Sequence, residues 1–94
     1  MPLFAVEYTY SEATADGRDE HRPAHRGWLG ELVDAGTVRA TGPWADGSGA
    51  LIVVEAADEP AVREVMAQDP FARRGLVDDV RITEWLPVMG VFND

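Results

Sequence analysis

Thr37–Ala56 reads TVRATGPWADGSGALIVVEA, and this stretch decides the fold. Thr37–Trp44 (TVRATGPW) carries the β-branched and aromatic residues of a strand, and Ala50–Ala56 (ALIVVEA) is a nearly continuous apolar run. Between them, Asp46-Gly47-Ser48-Gly49 supplies the backbone freedom of a hairpin turn. The centre of the chain is therefore an antiparallel pair, and the flanking segments determine what packs on it.

On the N-terminal side, Pro23–Ala35 (PAHRGWLGELVDA) spaces its apolar residues as a helix does, and Gly36 is a good stop. Proline is tolerated in a first turn, so the helix is expected to open between Asp19 and Pro23, with Ser11–Arg18 as a loop. Leu3–Tyr10 (LFAVEYTY) alternates as a first strand. On the C-terminal side, Asp58 can cap a second helix running to about Gln68, with Val62, Val65 and Met66 inward. Asp69-Pro70 ends it, because a residue before proline is pushed out of the helical region. Val80–Leu86 (VRITEWL) is the last strand, and the tail Pro87–Phe92 (PVMGVF) is apolar enough to pack on something. The order β-α-β-β-α-β predicts an α+β, ferredoxin-like single domain over residues 1–94.

Strand three is apolar on both faces, with Ala50, Ile52 and Val54 on one and Leu51 and Val53 on the other. A sheet with one wet face alternates with polar residues instead. Two helices cover only one face of four strands, so the other is expected to meet the same face of a second copy in a twofold homodimer.

Composition narrows the chemistry. The 94 residues contain no cysteine, which excludes a disulfide framework, a thiol nucleophile and a thiolate metal site. A formal charge of −9 opposes nucleic acid and anionic membranes as partners. No apolar run approaches a membrane span and no leader is legible, so a cytoplasmic protein is expected. All eight basic residues are arginine, which removes Schiff-base chemistry on lysine.

Two residues break local rules. His25 lies in the apolar stripe of the first helix, where Trp28, Leu29, Leu32 and Val33 fall within roughly 80° of it. An imidazole held neutral near a helix N-terminus can accept a proton at physiological pH. Asp69 continues the inward face of helix two, where a carboxylate at a helix C-terminus opposes the dipole and needs an offsetting partner. The structural alternatives are a hydrogen-bonded core histidine and an Asx turn ahead of Pro70.

Arg22-x-x-His25, Gly36, Thr41-Gly42-Pro43, Asp69-Pro70-Phe71 and Gly75-Leu76 occur in an order and spacing that resembles the YciI-like (YCII-related) family. The resemblance implies a ferredoxin-like fold of the dimeric α/β-barrel kind and a catalytic dyad of His25 and Asp69. It also implies that Arg22 orients Asp69 or a substrate anion. A related dehydrochlorinase of aromatic degradation shows what such a dyad can do, namely abstract a proton with loss of a leaving group. The expected function is thus a small-molecule lyase or isomerase with no cofactor and no metal. His25 acts as acid/base, and Arg22, Gly42, Pro43, Trp44 and Phe71 bind the substrate. Tyr8 and Trp85 are further candidates to wall an apolar pocket. Two rivals remain open: a metal site of His21, His25 and Asp69, and a non-catalytic dimeric module that binds a small ligand or serves as an accessory partner to a larger enzyme.

Overall fold

The central hairpin forms as a pair of strands whose register the turn fixes. In a computed structural model, described over residues 1–92, β1 (Leu3–Thr9) leads through a short 3-10 turn to α1 (Ala15–Asp34), then β2 (Val38–Pro43) and β3 (Gly49–Glu55). Helices α2 (Glu59–Met66) and α3 (Pro70–Arg73) precede β4 (Asp79–Trp85). The sheet order is β2-β3-β1-β4, antiparallel throughout, which is the split βαβ arrangement of a ferredoxin-like fold. In the hairpin, Gly47 takes a left-handed φ of 76° and Ser48 donates its N–H to the Asp46 carboxylate at 2.9 Å.

The helices cover one face only. Phe4, Val6 and Tyr8 of β1 and Ile52 and Val54 of β3 meet Leu29 of α1 and Val62 and Met66 of α2 in a single core. Asp58 caps α2 by accepting the Ala61 N–H at 2.9 Å. On the opposite face Phe92 packs edge-on against Trp85 at 5.6 Å between ring centres, with the Arg39 guanidinium 5.9 Å from its ring. Leu86, Val88, Met89 and Val91 remain exposed beside it. No helix among the described residues is long and apolar enough to cross a membrane.

Two boundaries differ from expectation. Helix α1 opens at Ala15, well before Pro23, because Arg18 is a buried anchor rather than a loop residue. Its guanidinium donates to the Ser11 carbonyl at 2.9 Å, the Leu76 carbonyl at 3.2 Å and the Thr14 hydroxyl, and lies over the Tyr10 ring at 4.2 Å. Pro23 is therefore inside the helix, where it removes one backbone hydrogen bond to the Asp19 carbonyl. Helix α2 stops at Met66, and Asp69-Pro70 starts α3 as well as closing the preceding turn. Proline at the first position and aspartate at the cap are the ordinary opening of a helix.

Glycine substitutions separate close approach from open space. A β-carbon on Gly49 would lie 1.9 Å from the Tyr8 carbonyl oxygen, so Gly49→Ala must force β1 and β3 apart and should lower stability by about 2 kcal/mol or more. Gly27, mid-helix with nothing near its β-carbon position, should gain about 0.5–1 kcal/mol on replacement by Ala. Denaturant midpoints of the two variants measure both.

Candidate active site

Asp69 has no exposed surface, so its carboxylate must find its hydrogen bonds within the protein. Three donors converge on it. Tyr8 from β1 donates its hydroxyl to Oδ2 at 2.6 Å, the Phe71 N–H donates to Oδ1 at 2.9 Å, and His25 Nδ1 lies 2.7 Å from Oδ1. A carboxylate only accepts, so Nδ1 carries a proton, and in the neutral ring Nε2 is the free lone pair. The Phe71 ring stacks on the imidazole at 3.8 Å with 3° between planes, which fixes the ring plane as Asp69 fixes its rotation.

Nε2 has no hydrogen-bond partner among the described residues, and no enclosed side-chain nitrogen or oxygen there lacks one. It follows that Nε2 is reachable from outside. His25 indeed lines a cleft of about 730 Å3 between α1 and the β2–β3 end of the sheet. Leu29 and Val33 continue the α1 wall, Thr41, Gly42, Pro43 and Ala50 form the sheet side, and Phe71 and Tyr10 also line it.

The local geometry revises the electrostatics expected from sequence. His25 sits mid-way along α1, because the helix opens at Ala15, so the N-terminal dipole does not act on it. Asp69 is the N-cap of α3, not the end of α2, and its neighbours are N–H groups instead of carbonyls. It adopts the Asx turn and the histidine contact together.

Of the other site candidates, Arg22 lines the cleft but pairs with Asp19 at 2.7 Å and makes no bond to Asp69. Tyr8 takes that orienting place, from beneath the cleft. Trp44 lines a separate hollow of about 250 Å3 with Leu51 and Val53, since alternation past Pro43 carries it to the other side of the sheet. Trp85 lies with Phe92, away from the cleft. No group of three His, Asp or Glu residues able to hold a metal occurs among the described residues, so His21, His25 and Asp69 do not form the ligand set of the rival reading. Arg18 and Arg26 also line the cleft and were not anticipated as site residues; their spacing of four from Arg22 is the signal that could have found them.

Comparison with known proteins agrees with this architecture. Among solved structures, 5-chloro-2-hydroxyhydroquinone dehydrochlorinase (TftG) from Burkholderia phenoliruptrix AC1100, in complex with 2,5-dihydroxybenzoquinone, matches with a TM-score of 0.77. At 23% identity over 98% of this chain and 99% of that one, the likeness is one of fold. No curated protein matches the chain. The model of the YCII-related domain matches residues 2–86, across every strand of the sheet and the whole Tyr8–His25–Asp69 cluster, and the chain belongs to the YCII-related domain family.

Proposed function

We propose that the protein is a small-molecule lyase or isomerase in which His25 transfers a proton and Asp69 holds it for that task. The observation that carries this reading is the division of the imidazole: Nδ1 is bound to a buried carboxylate and Nε2 is open to a cleft. That division is what a general base requires, because Nε2 can take a proton while Asp69 steadies the resulting imidazolium. The fold neighbour is a dehydrochlorinase with a small cyclic ligand bound, which supports a substrate of similar scale. In an isomerisation, Nε2 removes a substrate proton and returns it to another atom. In an elimination, the electrons of the broken C–H bond form the new double bond, the leaving group departs with its bonding pair, and the imidazolium proton goes to it or to water.

Gly42, Pro43 and Phe71 supply the apolar walls for a small planar or cyclic substrate. Working as a homodimer, the protein would bury the second sheet face, where Leu86, Val88, Met89 and Val91 stand exposed. Sedimentation at micromolar concentration should then give about twice the 10.3 kDa chain mass; a stable monomer would remove the dimer from the reading.

The decisive measurement is on the dyad. His25→Gln keeps polarity and approximate volume and should lower the rate by about 10²–10⁴ with fold intact, whether followed as substrate turnover or as exchange of substrate hydrogen with deuterated water. Asp69→Asn, which offers Nδ1 a mismatched partner, should cost a similar factor. Full activity in His25→Gln would end the acid–base reading.

Burial pushes the Tyr8 hydroxyl up, helped by the charge of Asp69, and the same two causes raise Tyr10. Tyr8 therefore stays a donor to Asp69 through the alkaline range. The folded values lie above the unfolded ones, so this contribution to stability is complete below about pH 10 and declines as pH rises further, by up to about 1.4 kcal/mol per pH unit for Tyr8. Tyr8 should ionise only together with unfolding, read as tyrosinate absorbance in Tyr10→Phe, and Tyr8→Phe should flatten the alkaline decline; a Tyr8 tyrosinate in folded Tyr10→Phe at pH 10 contradicts the burial argument.

A further inference from the structure

Arg18, Arg22 and Arg26 all line the cleft from α1. Their spacing of four sets three guanidiniums in a row over roughly 80° of helix surface, with Leu29 within that arc and His25 just beside it. The chain as a whole carries a formal charge of −9, yet Asp19 is the one carboxylate among the lining residues, and Arg22 already binds it. That pair is partly solvated and so is easily exchanged for a better anion.

Arg18 is the stronger signal. It is only 6% exposed, and its partners are two carbonyls and a hydroxyl. No carboxylate lies within ion-pair distance of it among the described residues; the charge of Asp78, whose Oδ1 is 3.1 Å from the Thr14 hydroxyl, acts on it across that residue. That counter-charge is exposed and not in contact, so an anion brought directly to the guanidinium is still favoured. Its Nε–H has no partner among the described residues, and since no enclosed nitrogen there is left unpaired, that donor is open to solvent. Arg26, at the other end of the row, has no ionic or hydrogen-bond partner among the described residues.

We infer that the cleft selects a small organic acid, whose carboxylate is held by the arginine row while its planar apolar body lies against Leu29, Val33, Pro43 and Phe71. Planar guanidinium forks match a carboxylate edge to edge, which a point charge would not do. The apolar remainder of the cleft is what separates an organic acid from a free inorganic oxyanion. This inference rests on the His25 reading only in saying which end of the ligand reacts: anchoring the carboxylate leaves the opposite, acidic hydrogen at Nε2.

The test is a binding measurement on the intact protein that needs no turnover. Small planar carboxylic acids, each paired with its primary amide, and inorganic phosphate are titrated at up to millimolar concentration while backbone amide resonances of the cleft are followed. Acids should shift the resonances of Arg22, Arg26 and Gly42, and their amides should not. Arg22→Gln or Arg26→Gln, at positions that are not buried, should weaken the acids about tenfold, the worth of one charge-assisted hydrogen bond. Rising salt should weaken them as well. His25→Gln should leave binding nearly unchanged. The inference is overturned if amides bind as well as acids, if no acid binds, if phosphate is preferred, or if the arginine variants bind like the parent. Acid-selective binding in which no bound acid exchanges hydrogen with water would sink the acid–base role of His25 and leave this inference standing.

Discussion

The buried carboxylate of Asp69 is the interaction on which the rest of the structure depends. It joins three elements distant in sequence, taking donors from β1, α1 and its own α3. Hydrogen bonds to a charged group contribute roughly 1.5–3 kcal/mol each, and removing the shared acceptor would leave a buried hydroxyl, imidazole and amide without partners at once. The network therefore specifies where α1 sits on the sheet as well as how the imidazole is aimed. Fold and candidate chemistry rest on one side chain, and that coupling is why a charged residue can occupy a fully enclosed position.

Much of this was legible in the sequence because it lay in local pattern. Alternation and turn chemistry gave four strands and the hairpin, and helical periodicity placed Leu29, Val62 and Met66 in the core. His25 stood out because an ionisable group in an apolar stripe conflicts with burial unless it is paired. The misplaced features were those set by contacts between distant segments. Arg18 looked like a loop residue since nothing nearby in sequence announces carbonyls of Ser11 and Leu76 as its partners. Once that anchor is absent from the reading, Pro23 becomes the natural helix start, and His25 is placed too near the N-terminus. Asp69-Pro70 signals the end of α2 more plainly than the start of α3, because termination and initiation use the same two residues and α3, at four residues, is too short to show periodicity. Tyr8 was read as a wall because its hydroxyl's partner lies 61 positions away.

The electrostatic character of the cleft opposes that of the molecule around it. The net acidic exterior opposes the approach of anions, whereas the arginine row attracts them only once they are within the cleft, where it is the nearer charge. Such an arrangement favours selectivity after entry over rapid capture.

Pro23 has a mechanical consequence beyond its place in the helix. It sits between the turn that carries Arg18 and Arg22 and the turn that carries His25, and there the backbone ladder lacks a rung. The segment before it is tied to the Ser11 and Leu76 carbonyls through Arg18, while the segment after it is tied to the sheet through Leu29. The helix is thus two bodies moored to different parts of the protein and meeting at a weakened joint. One body holds most of the charge that faces a ligand, and the other holds the group that would react with it.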